Sequence, residues 1–283
     1  MALTIAHFIL NVIALLLWVN WISFTRDAVP RTPGTQLIAT LKKAGPKGFG
    51  RWKFLIGIAA LLGLRALIYW QLGPALKWTP RLNWGFVSLT FRGDEFMQLL
   101  AFSVLGFLLV LGAFYFWLLL ISVANRKMSD ADPIQTLVRH YFKWFESWPS
   151  PLKLVLPLIL GALTWLAVHP LLDLMLVTTG EKFSLHLVVQ SLLVGLGGYL
   201  VWKYLVVTIL LLHVLSSYVY FGDHAVWKFV AATAQNLMRP LRWIPTKIGR
   251  VDFLPLITIA LVFFLAEIVA NPANWPATLR KWL

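Results

Sequence analysis

Of the 283 residues, 59% are hydrophobic and only 13% are charged, yet the formal net charge is +14. A soluble domain covers its surface with roughly a quarter charged residues, so this composition excludes an ordinary soluble fold and points to a bilayer. The chain has no cysteine, which excludes disulfides, zinc–thiolate sites, cysteine-ligated iron–sulfur clusters and covalent c-type haem attachment to it.

In chain order, the first element is MALTIAHFILNVIALLLWVNWISF. It lacks a basic leader and a small-residue cleavage site, so it reads as a retained span rather than a signal peptide. Six apolar stretches can cross about 30 Å of hydrocarbon at 1.5 Å per residue. They lie near residues 5–24, 54–72, 96–124, 152–177, 186–220 and 253–270. The third and fifth exceed what a bilayer needs, so they tilt or project. The fifth either runs as one long helix or breaks near Gly195, Gly197 and Gly198.

Basic residues give the expected orientation. Seventeen of the 25 Lys and Arg residues fall in three alternate loops, six lie on the opposite side, and Arg65 and Lys203 fall within spans. The positive-inside rule puts the three long loops in the cytoplasm and both termini outside. The expected location is a bacterial plasma membrane. Tryptophans near the span ends, among them Trp70, Trp78, Trp84 and Trp243, read as an aromatic belt.

The chain also repeats itself. Leu156-Pro157-Leu158-Ile159 opens the fourth span and Leu254-Pro255-Leu256-Ile257 the sixth, while Gln98 and Gly106 align with Gln190 and Gly198. The expected organisation is three tandem span–loop–span units, 1–73, 74–177 and 178–283, forming one membrane domain. Their common orientation makes them parallel repeats, unlike the inverted repeats of many transporters. The fold class is therefore an all-α integral membrane protein of about six transmembrane helices, arranged as three helical hairpins with amphipathic cytoplasmic segments.

The last cytoplasmic segment is the most informative. Val226, Phe229, Val230, Thr233, Leu237 and Leu241 fall near helical spacing, Pro240 and Pro245 break the run, and Arg239, Arg242, Lys247 and Arg250 follow on one short piece. This pattern predicts an interfacial helix with its apolar face in lipid and its cations at the phosphates. Each surface cation near anionic lipid contributes about 1 kcal/mol. A solvated loop and a docking site for a partner protein are the alternative readings.

Here the chain resembles the YggT family of small bacterial and plastid membrane proteins. Phe229, Thr233, Leu237, Pro240, Arg242, Pro245, Gly249, Asp252 and Pro255 occupy the family's motif places, and Leu254 stands where the family usually has serine. The resemblance spans roughly residues 224–270 and is loose elsewhere; three units would be an expansion of the family's usual one or two. It implies a non-enzymatic factor linked to membrane-complex biogenesis, including cytochrome b assembly in plastids, to division or to osmotic tolerance.

Charged residues inside spans are functional candidates. Sliding the repeats together brings Arg65, His169 and Glu267 to similar depth, which predicts a polar group in which Arg65 pairs with Glu267 near His169 or Asp173. Separate snorkelling of each to the interface is the alternative. Lys203, between Trp202 and Tyr204, reads as an interface anchor. No span carries histidines spaced for haem and no helix has a His/Glu pair at i, i+4, so neither cofactor nor metal is expected. The sequence holds no GxSxG, HExxH, P-loop or dinucleotide motif, so no catalytic residue is assigned. The expected function is a scaffold or assembly factor for other membrane proteins. A transporter or channel for a small solute, or an accessory subunit of a respiratory or photosynthetic complex, are the alternatives. The expected partners are anionic phospholipids and another integral membrane protein, not nucleic acid.

Overall fold

The computed structural model describes residues 2–25, 50–75, 78–126, 136, 138, 141, 148–178, 184–219, 222, 224–248 and 251–271. The amphipathic segments expected in the first two units fall largely outside these residues, as does Arg250; of Lys247 only the backbone is described. The helices are α1 (Ala2–Thr25), α2 (Gly50–Ala75), α3 (Phe96–Ala124), α4 (Ser150–Leu174), α5 (Leu185–Gly197), α6 (Trp202–Tyr218), α7 (Ala225–Met238) and α8 (Leu254–Ala270). A 3₁₀ segment, Gly198–Val201, joins α5 to α6. Two short antiparallel hairpins complete the described structure: β1 (Arg81–Trp84) with β2 (Val87–Thr90), and β3 (Lys247–Ile248) with β4 (Val251–Asp252).

The fold is that of an all-α membrane protein. Five helical stretches are long and apolar enough to cross a bilayer, and the sixth expected span is the shorter apolar helix Leu254–Ala270. Its 17 residues sit at the lower end of the range of about 17–25 that spans a hydrocarbon core. The fifth stretch runs as one helical stretch, Leu185–Tyr218, in which the α-helical pattern tightens to 3₁₀ over Gly198–Val201, just after Gly195 and Gly197. Two indoles bind at this turn. Trp202 Nε1 donates to Phe116 O and Trp117 Nε1 to Val201 O, each at 2.9 Å, fixing the turn to α3.

Lipid tails are as apolar as leucine, so helices in a bilayer associate through close packing and polar contacts. Helix α3 is central: it packs against α1, α2, α4, α6 and α7. The closest approach is α4 on α5, where a Cβ placed on Gly195 would collide with Leu158 O and one on Gly161 would lie 2.6 Å from Gly195 Cα. Pro157 within α4 removes a helical donor, and Tyr199 Oη donates to the nearby Leu154 O at 2.5 Å.

The β1–β2 hairpin departs from the sequence expectation, which placed Trp84 in an interfacial belt. Trp84 is buried, 5.7 Å edge-on from Trp165, and Leu82, Leu89 and Phe91 join the same core. The cause lies in strand alternation. Apolar and polar residues alternate along Arg81–Trp84 and Val87–Thr90, and Gly85 supplies the positive φ (63°) required at the first position of a two-residue II′ turn. The apolar face then seals against α3, α4 and α5.

Candidate functional site

Three features stand out among the described residues. The first is Arg65 on α2, 1% exposed. Its Nε donates to Ser103 Oγ (2.8 Å), its Nη1 to Asn11 Oδ1 (2.6 Å) and its Nη2 to the Ser103 carbonyl. Ser103 Oγ donates onward to Leu62 O at 2.8 Å. The guanidinium thus clamps α1, α2 and α3 together.

This geometry fixes the neighbouring tautomer. Asn11 turns its oxygen to Arg65, so its Nδ2 faces His7 Nε2 at 3.0 Å. That ring nitrogen must accept, which leaves the proton on Nδ1, 3.3 Å from Tyr69 Oη. Gly106 makes the space: a Cβ there would lie 3.0 Å from His7 Cε1. Tyr69, Trp78 and Phe102 pack edge-on and tilted against one another beside them, with ring centroids 5.0–6.1 Å apart. An amide between His7 and Arg65 interrupts proton relay, so the cluster works as a clamp.

Arg65, Glu267 and His169 do not come together as the aligned repeats suggested. His169 is buried against Trp165, 5.8 Å between ring centroids, and Glu267 is exposed on α8. Among the described residues the ion pairs are Arg92 with Asp94 and with Glu95. The reason is lateral placement: α2 packs on α1 and α3, whereas α8 packs on α6 and α7. Equal depth in aligned repeats does not give adjacency around a bundle. Lys203 lies beside its neighbour, its Nζ 5.0 Å from the Tyr204 ring centroid.

The second feature is an apolar cavity of about 510 Å³ between α3, α4, the α5–α6 junction and the hairpin tip. Leu108, Tyr115, Phe116, Leu156 and Leu160 line it, and Asn83 and Thr164 add polar groups.

The third is the C-terminal module of α6, α7 and α8. Helix α7 is amphipathic as expected, but Phe229, Val230, Thr233, Ala234 and Met238 are buried within the protein rather than in lipid. Sequence reasoning missed its anchor, Asn125, fully buried at the C-terminus of α3. Asn125 Nδ2 donates to Thr233 Oγ1 (2.8 Å), and Asn125 Oδ1 accepts from Asn236 Nδ2 (3.0 Å). A lone asparagine closing a long apolar run was the available signal. Pro240 sits in the following 3₁₀ turn, Arg239–Leu241. Arg239 and Arg242 are exposed, and Arg242 Nη2 also donates to Gln235 O at 3.3 Å. Trp243 beside them is 80% exposed, and Pro245 is exposed.

The remaining motif positions start α8. Asp252 Oδ1 accepts from Leu254 N (2.9 Å) and from Thr246 Oγ1 (3.0 Å), satisfying an otherwise orphaned helix-start donor. Pro255 occupies the first turn, where its missing N–H costs nothing. With Asp252 in this role, leucine at 254 in place of the family's serine leaves the helix start intact.

These features define a multi-pass membrane protein with a compact C-terminal module built on one amphipathic helix. Residues 190–273 match the profile of the CCB3/YggT family. The match begins inside α5 and covers α6, α7 and α8, a longer stretch than the motif residues alone mark out. No curated protein and no solved structure matches the chain.

Proposed function

We propose that the protein is a non-enzymatic scaffold or assembly factor for other membrane proteins, with anionic phospholipid as its second partner. The observation that carries this reading is the flank of α8 within the family-matched segment. Phe263 is 51% exposed, Phe264 64% and Leu265 52%, and α8 packs on α6 and α7 at the edge of the bundle. Van der Waals packing against such a flank is how membrane helices associate. Arg239, Arg242 and Trp243 at the neighbouring turn suit a headgroup surface, and the three basic loops on that side favour a cytoplasmic orientation. The match to a family not known for enzymes supports binding over catalysis.

The test is photo-crosslinking in membranes from a probe at Phe264, with the exposed Leu163 of α4 as control. A discrete membrane-protein adduct from position 264, weakened by Phe263→Ala, supports the reading. Crosslinks to lipid alone from both positions overturn it.

A further inference from the structure

The β1–β2 hairpin enters the bundle, and its tip packs where α5 passes into the 3₁₀ turn. A Cβ on Gly85 would lie 2.9 Å from Gly197 Cα. Gly197 ends α5, about 18 Å along it at 1.5 Å per residue, more than half of a hydrocarbon core of about 30 Å. From the other side, Gly195 touches Gly161, about 16 Å from the start of α4. With the starts of α4 and α5 taken as the two membrane faces, the tip lies near the midplane.

One face of this hairpin is apolar and buried. The other carries Arg81, Asn83, Ser88 and Thr90, all exposed. Strand pairing sets Arg81 opposite Thr90 and Asn83 opposite Ser88, so the four side chains form one polar stripe running from the hairpin base towards the tip. Asn83 is also part of the cavity lining. Unpaired polar groups in hydrocarbon cost several kcal/mol each, and non-helical backbone persists at membrane depth only inside protein or beside water. A stripe of this kind in contact with lipid tails is untenable.

We propose that the stripe is one wall of a water-filled crevice that opens at the hairpin base and ends near the midplane at Asn83. The crevice admits small polar solutes as far as Asn83, with Arg81 at its mouth favouring anions. Below the tip the apolar lining of the 510 Å³ cavity stops the polar path. The inference does not depend on the scaffold reading.

The native chain lacks cysteine, so single cysteines report directly. Asn83→Cys, Ser88→Cys and Thr90→Cys are exposed, in separate samples of protein in lipid vesicles, to a charged, membrane-impermeant methanethiosulfonate on both sides. The cysteine thiolate attacks the reagent's sulfenyl sulfur, forms a mixed disulfide and releases methanesulfinate. Thiolate forms only where water reaches, so Asn83→Cys and Ser88→Cys react within about tenfold of the rate of Thr90→Cys at the mouth. Leu192→Cys and Leu163→Cys, at similar depth on lipid-facing helix surfaces (47% and 57% exposed), react at least about 100-fold more slowly. Reaction of Asn83→Cys and Ser88→Cys at the slow rate of those two controls, with Thr90→Cys still fast, overturns the proposal. Reactivity of all five positions after detergent denaturation confirms that each thiol is available.

Discussion

The two ends of α3 are held by different chemistry. Near its start, Ser103 receives a buried arginine from α2, and the charge is spread over Asn11, the Ser103 hydroxyl and a backbone carbonyl. At its far end, Asn125 receives Thr233 and Asn236 of α7 through neutral groups alone. The arginine clamp joins α1 and α2 to the bundle; the amide anchor attaches the family-matched module. A buried charge with neutral partners resists loosening, because losing any acceptor leaves it uncompensated. A neutral amide pair is weaker and replaceable. The contrast predicts an N-terminal clamp that fails as a unit and a C-terminal module that can detach locally.

The sharpest way to break this arrangement lies between the two ends. Gly195→Leu forces a side chain into the backbone of α4 and costs about 3 kcal/mol, read as a loss of denaturation resistance in detergent for the whole bundle. Arg65→Ala comes next. It strands Asn11 and Ser103 and opens a void, costing about 2–3 kcal/mol. Arg65→Met combined with Asn11→Leu recovers most of that loss, since an apolar replacement of a buried polar set is close to neutral. Equal losses for the alanine variant and the double variant would remove the clamp from the account.

Smaller effects sharpen the other side of the comparison. Asn125→Ala costs about 1–2 kcal/mol, confined to the C-terminal module. Hydrogen exchange in α7 rises while exchange in α1 and α2 stays unchanged. Asp252→Ala costs about 1 kcal/mol, the usual value of a lost helix cap, and frays the first turn of α8 only.

Much of the architecture was legible because bilayers write long apolar runs into a sequence. The spans, the irregularity of the fifth stretch after Gly195 and Gly197, the amphipathic character of α7 and the family motif around Pro240 and Asp252 all follow from local pattern. Arg65 stood out as a cation in a span. Its partners were not legible: Asn11 and Ser103 are ordinary residues in separate runs, and only the lateral packing of α1, α2 and α3 brings them together. The repeat alignment does not give these partners, because matched depth says nothing about which helices are neighbours. Gln98 and Gln190 show the same limit. Gln98 binds Arg92 N and Met175 O, whereas Gln190 accepts from Trp165 Nε1. The hairpin was overlooked although its signal was present. Leu82, Trp84, Leu89 and Phe91 alternate with Arg81, Asn83, Ser88 and Thr90 about a glycine turn, a strand pattern short enough to pass as interfacial loop.

The most direct test of the two-ended account is a double-mutant cycle on Asn125→Ala and Thr233→Val, with unfolding of the C-terminal module followed in lipid or mild detergent. The account predicts a coupling energy of at least about 0.5 kcal/mol, as expected for side chains in contact. Losses that add within about 0.3 kcal/mol would mean that α3 does not hold the family-matched module through Asn125, and would contradict it.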